Sequence, residues 1–75
     1  MMDTPSITVV ILAFNEAESL PQMLNDSVRW LRDNIPHWEI IVVDDGSTDD
    51  TRAIAEKWSG EDDRVRVLFH ETNQG

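Results

Sequence analysis

The chain has 75 residues, 40% apolar and 28% charged, with three Trp and two Phe available to fill a core. That is room for one small domain at most, since a single core is comfortable only nearer to about 100 residues. Fifteen acidic residues against six basic give a formal charge of -9, which argues against a nucleic-acid backbone or an anionic membrane surface as direct partner, because both repel it. A nucleotide at one local site is still compatible with that charge. The absence of cysteine excludes a disulfide, a thiolate nucleophile and Cys-ligated zinc. His37 and His70 are too few and too far apart to suggest a metal site, and read as surface or linker histidines. No apolar run approaches the roughly 18 to 20 residues that span a bilayer. "MMDTPS" lacks the basic segment of a signal peptide, so the expected location is cytoplasmic.

In chain order, "SITVVILAF" is an uninterrupted apolar, β-branched run, the pattern of a strand buried on both faces. In "NEAESLPQMLNDSVRWLRDN", Asn15 and Glu18 have the N-cap to N3 spacing of a helix start. Ser19 followed by Pro21 offers a second start, because proline is tolerated in a first helical turn. Leu20, Leu24, Ser27, Val28 and Leu31 then share one helical face, and the helix breaks at "NIPHW" ahead of Pro36. "EIIVV", residues 39 to 43, is a second short strand, followed by the turn "DDGST". Ser47 or Thr48 is the expected cap of the next helix, with Asp49 and Asp50 in its first turn, where the macrodipole favours negative charge. Thr51, Ile54, Ala55 and Trp58 form its buried stripe and Ser59-Gly60 its expected stop. "RVRVLF", residues 64 to 69, suits a third strand. Met23, Trp30, Trp38 and Trp58 read as core or packing residues, and "EDDR" as a solvated charged loop.

There are no internal repeats, and the pattern is β-α-β-α-β. Short right-handed connections make this a parallel sheet in the order 3-2-1 with helices covering it. Ligands of such sheets bind beyond the carboxyl ends of the strands, where "FNE" and "DDGS" both fall. Asp44 and Asp45 read either as loop caps for nearby backbone NH groups or as ligand-binding groups. A dinucleotide fingerprint is excluded, because "LAFNEAES" has no glycine. An aspartyl-nucleophile phosphatase would need its two aspartates one residue apart at the end of strand 1, and here they are adjacent at the end of strand 2.

"TVVILAFNEAESLPQML" followed by "WEIIVVDDGSTDDTRAIAEKW" resembles the amino-terminal segment of family-2 glycosyltransferases, inverting enzymes of the GT-A fold. The long "NEAESLP" and "DDGSTDDT" are most similar to the polyprenyl-phosphate branch, which includes dolichol-phosphate mannosyltransferase. "RVRVLFHETNQG" is similar to the family's third strand and the start of its N-x-G segment, so the resemblance covers residues 6 to 75. It implies an α/β, three-layer, Rossmann-like half domain, with residues 1–75 as a single partial domain carrying the nucleotide-binding half. The implied nucleotide-binding residues are Phe14, Asn15, Glu16, Asp44, Asp45, Gly46 and Ser47. Among them Phe14 is a stacking platform in place of the usual tyrosine, and Glu16 reaches the base or ribose. Asp45 partners the ring NH of the base, Asp44 supports the loop or contacts the ribose, and Gly46 lets the backbone come close. Leu12 stands where the family usually has proline, a departure that bears on the loop carrying Phe14.

The resemblance also implies a UDP- or GDP-sugar donor, a polyprenyl-phosphate acceptor and membrane association in a full-length protein. It implies Mg²⁺ or Mn²⁺ held by a later acidic motif, and a carboxylate base to deprotonate the acceptor. None of the adjacent pairs Asp44-Asp45, Asp49-Asp50 and Asp62-Asp63 has that metal motif's spacing, so no catalytic or metal residue is expected here. The chain is read as an amino-terminal portion of a larger transferase, inactive alone, with an unpartnered edge at strand 1 that favours a homo-oligomer. The alternatives are a non-catalytic nucleotide-binding module and an assembly fragment.

Overall fold

Five elements follow one another in the computed structural model, which describes residues 7–70. They are β1 (Ile7–Ala13), α1 (Leu20–Asn34), β2 (Trp38–Asp45), α2 (Thr51–Glu61) and β3 (Val65–His70). The expected order is reproduced, while "MMDTPS" and the start of the N-x-G segment lie outside the described residues. β2 is central and pairs in parallel with β1 on one side and β3 on the other. The register sets Ala13 beside Asp44 and Asp44 beside Phe69, so the three carboxyl ends are level.

Two right-handed crossovers that step the same way along a sheet put both helices on one face, and the burial agrees. Ala13, Ile40, Val42 and Val65 from the sheet pack with Leu20, Leu24, Val28 and Leu31 of α1 and Ala55 of α2. Each large apolar side chain fully buried in this way contributes about 1.5–3 kcal/mol. The opposite face is open: Val10, Leu12 and Leu68 are 56%, 75% and 57% exposed. Of the three layers expected, residues 7–70 supply two. The expectation that strand 1 is buried on both faces is corrected accordingly, because nothing among the described residues covers its Val10–Leu12 side. Trp38 is buried and Trp58 packs on the core, but Met23 and Trp30 are exposed and are not core residues here.

The helix ends also differ from expectation. α1 takes the second start, with Ser19 as its N-cap and proline in its first turn. It ends at Asn34, with Ile35 an extended C-cap ahead of Pro36, as the proline requires. α2 has Asp50 as N-cap without a side-chain bond, so neither Ser47 nor Thr48 caps it. Asp49 Oδ1 instead accepts the Thr51 N–H at 2.9 Å. α2 also runs through Gly60, which is exposed, and closes when the Asp62 N–H reaches Trp58 O at 3.0 Å. Asp62 then turns the chain, its Oδ1 accepting the Arg64 N–H at 2.9 Å while its carboxylate lies 3.8 Å from Arg32. It is therefore a tie between the charged loop and α1 rather than a freely solvated side chain.

Candidate functional site

Strand alternation separates the two adjacent carboxylates. β2 buries Trp38, Ile40, Val42 and Asp44, and turns Glu39, Ile41, Val43 and Asp45 to the open face. Asp44 is 1% exposed, a costly place for a carboxyl unless it is hydrogen-bonded. Its Oδ1 accepts both the Ser47 N–H, at 3.1 Å, and the Ser47 hydroxyl, at 2.5 Å. Gly46 lies between them at φ 78, a left-handed conformation that glycine adopts without penalty.

Bonds from the second loop then pin the first. The Asn15 N–H donates to Ser47 Oγ at 2.9 Å, and Asn15 Oδ1 accepts the Thr48 N–H at 2.8 Å. Asn15 itself has φ 52, a conformation that asparagine tolerates better than most residues. The Glu16 N–H donates to Thr51 Oγ1 at 2.7 Å, and the Ala17 N–H to Asp49 Oδ2 at 3.2 Å. Thr51 donates its own hydroxyl to Asp49 Oδ1. That bond is the main reason the Asp49 carboxyl lies below the usual carboxylate range, with the backbone N–H bonds of Thr51 and Ala17 adding to it. A depressed carboxyl stabilises the fold above its unfolded value, near 3.9, and loses that contribution as pH falls through the lower folded value. Acid unfolding followed by circular dichroism should therefore show Asp49→Asn losing less stability between about pH 5 and 3 than the parent chain.

The braced loops border a cleft of about 430 Å³ at the carboxyl edge of the sheet, within the range of small-molecule sites. Leu12, Ala13 and Val43 form an apolar floor, with Phe14, Glu16, Asp45 and His70 around it. Of the seven residues expected to bind nucleotide, Phe14, Glu16 and Asp45 line this cleft. Asn15, Asp44 and Ser47 are engaged in the brace, and Gly46 makes the turn. Between the two roles expected of Asp44, its burial fits loop support.

His70, read from the sequence as a surface histidine, is the cleft residue that reading missed. It is half exposed, with Nδ1 3.2 Å from Asp45 Oδ1. Twenty-five residues separate the two, and only the parallel register, which sets Asp45 beside His70, brings them together. The expected strands stop at Val43 and Phe69, whereas β2 and β3 run on to Asp45 and His70, and it is this extension that sets the pair side by side.

Residues 8–75 match the family profile of glycosyl transferase family 2. The chain belongs to this family. Its similarity to the human dolichyl-phosphate beta-glucosyltransferase is 37% identity over 96% of this chain and 24% of that protein. The undecaprenyl-phosphate 4-deoxy-4-formamido-L-arabinose transferase of Proteus mirabilis is 36% identical over 92% of this chain and 22% of its own length. Among solved structures, a mannosyltransferase from Pyrobaculum calidifontis in complex with GDP-Man and Mn²⁺ superposes with a TM-score of 0.70 and 25% identity. That match covers 95% of this chain and 21% of the other. The chain thus spans about a quarter of the length of the curated relatives it matches.

The fold of this family-2 chain is α/β and Rossmann-like, as in its GT-A neighbour. The divalent ion in that neighbour raises the question of a metal here. Among the described residues no group of three or more His, Asp or Glu side chains converges to hold one. Asp45 and His70 are one carboxylate and one imidazole, too few donors for Mg²⁺ or Mn²⁺. These residues do not fit the ion. Nor is any described helix long and apolar enough to cross a membrane.

Proposed function

We propose that the chain is the amino-terminal, nucleotide-sugar-binding portion of an inverting glycosyltransferase that draws on a UDP- or GDP-sugar and has a polyprenyl phosphate as acceptor. Residues 1–75 form, in this reading, one partial domain carrying half of the donor site. The observation that carries it is the cleft itself, where an acceptor-only carboxylate, Asp45, stands beside the aromatic Phe14 on an apolar floor. Relatives named for dolichyl and undecaprenyl phosphate support the acceptor class, and the neighbour's GDP-Man supports the donor class. Mg²⁺ or Mn²⁺ enters with parts of the protein beyond those described. The full-length transferase is assigned a cytoplasmic site that works against the membrane carrying its lipid acceptor.

Calorimetric titration of the full-length transferase with UDP, GDP, ADP and CDP tests this reading. Preference for UDP or GDP is expected, and equal affinity for all four would overturn it. Residues 1–75 alone are expected to bind in the millimolar range at most. The same residues alone should transfer no sugar, because no metal-binding group of side chains converges among the described residues and the proposed acceptor-binding parts are not in this chain. Turnover of any sugar nucleotide by the purified 75-residue chain, above a contaminant control, would contradict that.

The isolated chain should also self-associate. Among the described residues β1 pairs with β2 alone, so its other edge presents free backbone groups to a second chain. Beside that edge Ile7, Val9 and Trp30 line a further apolar groove, and so small a core gains from added burial. Light scattering is expected to report a dimer or larger species, and a clean monomer at high micromolar concentration would rule this out.

A further inference from the structure

We infer that His70 is a positioning residue for nucleobase selectivity, acting by holding the carboxylate of Asp45. The inference rests on the donor-site reading above. β2 and β3 end level, with Asp45 and His70 as register partners, and both side chains stand on the open face at the wall of the same cleft. His70 Nδ1 lies 3.2 Å from Asp45 Oδ1. An ionised carboxylate can only accept, so this contact requires the proton on Nδ1. With Oδ1 engaged by the imidazole, the carboxylate plane is restrained about its side-chain torsions. A carboxylate offers about four lone-pair positions, so the held group keeps capacity for the ring NH of uracil or guanine. An aspartate already oriented loses less rotamer freedom when a base arrives. His70 is thus assigned to selectivity through Asp45, with no contact to the base required of it.

The test measures UDP, GDP, ADP and CDP affinities on the full-length transferase for five proteins: the parent, His70→Phe, His70→Asn, Asp45→Asn and Asp45→Asn/His70→Phe. Phenylalanine keeps the ring and removes the donor, whereas asparagine places an amide N–H close to the position of Nδ1. His70→Phe should weaken UDP and GDP by about two- to fivefold, the range of a half-exposed contact to a carboxylate. ADP and CDP should hardly change, and His70→Asn should restore most of the loss. In the Asp45→Asn background, His70→Phe should have no further effect. Unchanged UDP and GDP affinity in His70→Phe overturns the inference. So does an equal loss in the Asp45→Asn background, or a failure of asparagine to rescue, since either makes the histidine a structural residue or a direct contact. If the parent shows no uracil or guanine preference, or none that depends on Asp45, the donor-site reading itself falls. That outcome is seen before any His70 variant is compared. Circular dichroism of each variant checks folding, and His70→Asn supplies a second variant should the phenylalanine disturb it.

Discussion

Asp44→Ala is expected to destabilise the chain by about 2 kcal/mol or more, while Asp45→Ala changes stability by no more than about 0.5 kcal/mol. The residues are neighbours in sequence, of the same type, at the end of the same strand. Asp44 points into the core side, where its Oδ1 receives the Ser47 N–H and hydroxyl, and Ser47 in turn receives the Asn15 N–H. Truncation leaves a half-buried donor without its acceptor, at a cost of about 1–3 kcal/mol, and loosens the bond from the Asn15 N–H to Ser47 that ties the two loops. In a domain of this size 1 kcal/mol corresponds to roughly 4–8 °C in Tm. A small core rarely supplies more than about 3–5 kcal/mol in total, so the loss is a large share of what there is. Asp44→Asn keeps the Oδ1 acceptor and should recover more than half of it. Asp45 is paired with an exposed imidazole on the open face, where charged pairs contribute little to stability. Urea unfolding of the three variants decides the matter. Equal losses for Asp44→Ala and Asp45→Ala would mean that the two carboxylates do not face opposite ways.

Much of this geometry could be read from the sequence, and its gaps have physical causes. Strand and helix order, the parallel sheet and the meeting of "FNE" with "DDGS" follow from hydrophobic period and short connections. The faces of β1 do not. From Val9 to Phe14 the run "VVILAF" is apolar at every position, and an even run carries no alternation to say which side the helices cover. That side is fixed instead by two crossovers stepping the same way, a property of the whole fold. The caps were misplaced for a related reason. Ser47 has cap chemistry, but the buried Asp44 and the Asn15 N–H of the other loop compete for its hydroxyl, and α2 starts four residues later without it. Gly60 looked like a helix stop, yet glycine in an exposed position costs a helix only about 1 kcal/mol. The actual stop comes at Asp62, whose carboxylate turns the chain toward Arg64. His70 was missed because its partner is set by register between strands, which a linear reading reaches only after both strand ends are known.

The largest expected effect on binding belongs to Asp45. Uracil and guanine present a ring NH on the edge that faces an acceptor, whereas adenine and cytosine present a ring nitrogen acceptor there. An ionised Asp45 accepts only, so it attracts the first pair and repels the second, with the exocyclic amines of adenine and cytosine offsetting part of the repulsion. A hydrogen bond to a charged group contributes about 1.5–3 kcal/mol. Stacking on Phe14, which is exposed at the cleft wall, contributes about 1–3 kcal/mol for any base and so cannot discriminate. On the donor-site proposal, selectivity is therefore expected of Asp45 and general affinity of Phe14. In the full-length transferase, Asp45→Asn should weaken UDP or GDP by about tenfold or more, since an amide is a poorer acceptor and can rotate to a donor. Phe14→Ala should weaken all four nucleoside diphosphates by a similar factor. Both substitutions change half-exposed or exposed side chains that adjoin the Asp44–Ser47–Asn15 brace without supplying its hydrogen bonds, so neither should lower stability enough to mimic a binding defect. Calorimetry with UDP, GDP, ADP and CDP separates the two roles. If Asp45→Asn leaves both affinity and base preference unchanged, the carboxylate is only a loop and strand-end group, and the base is read elsewhere.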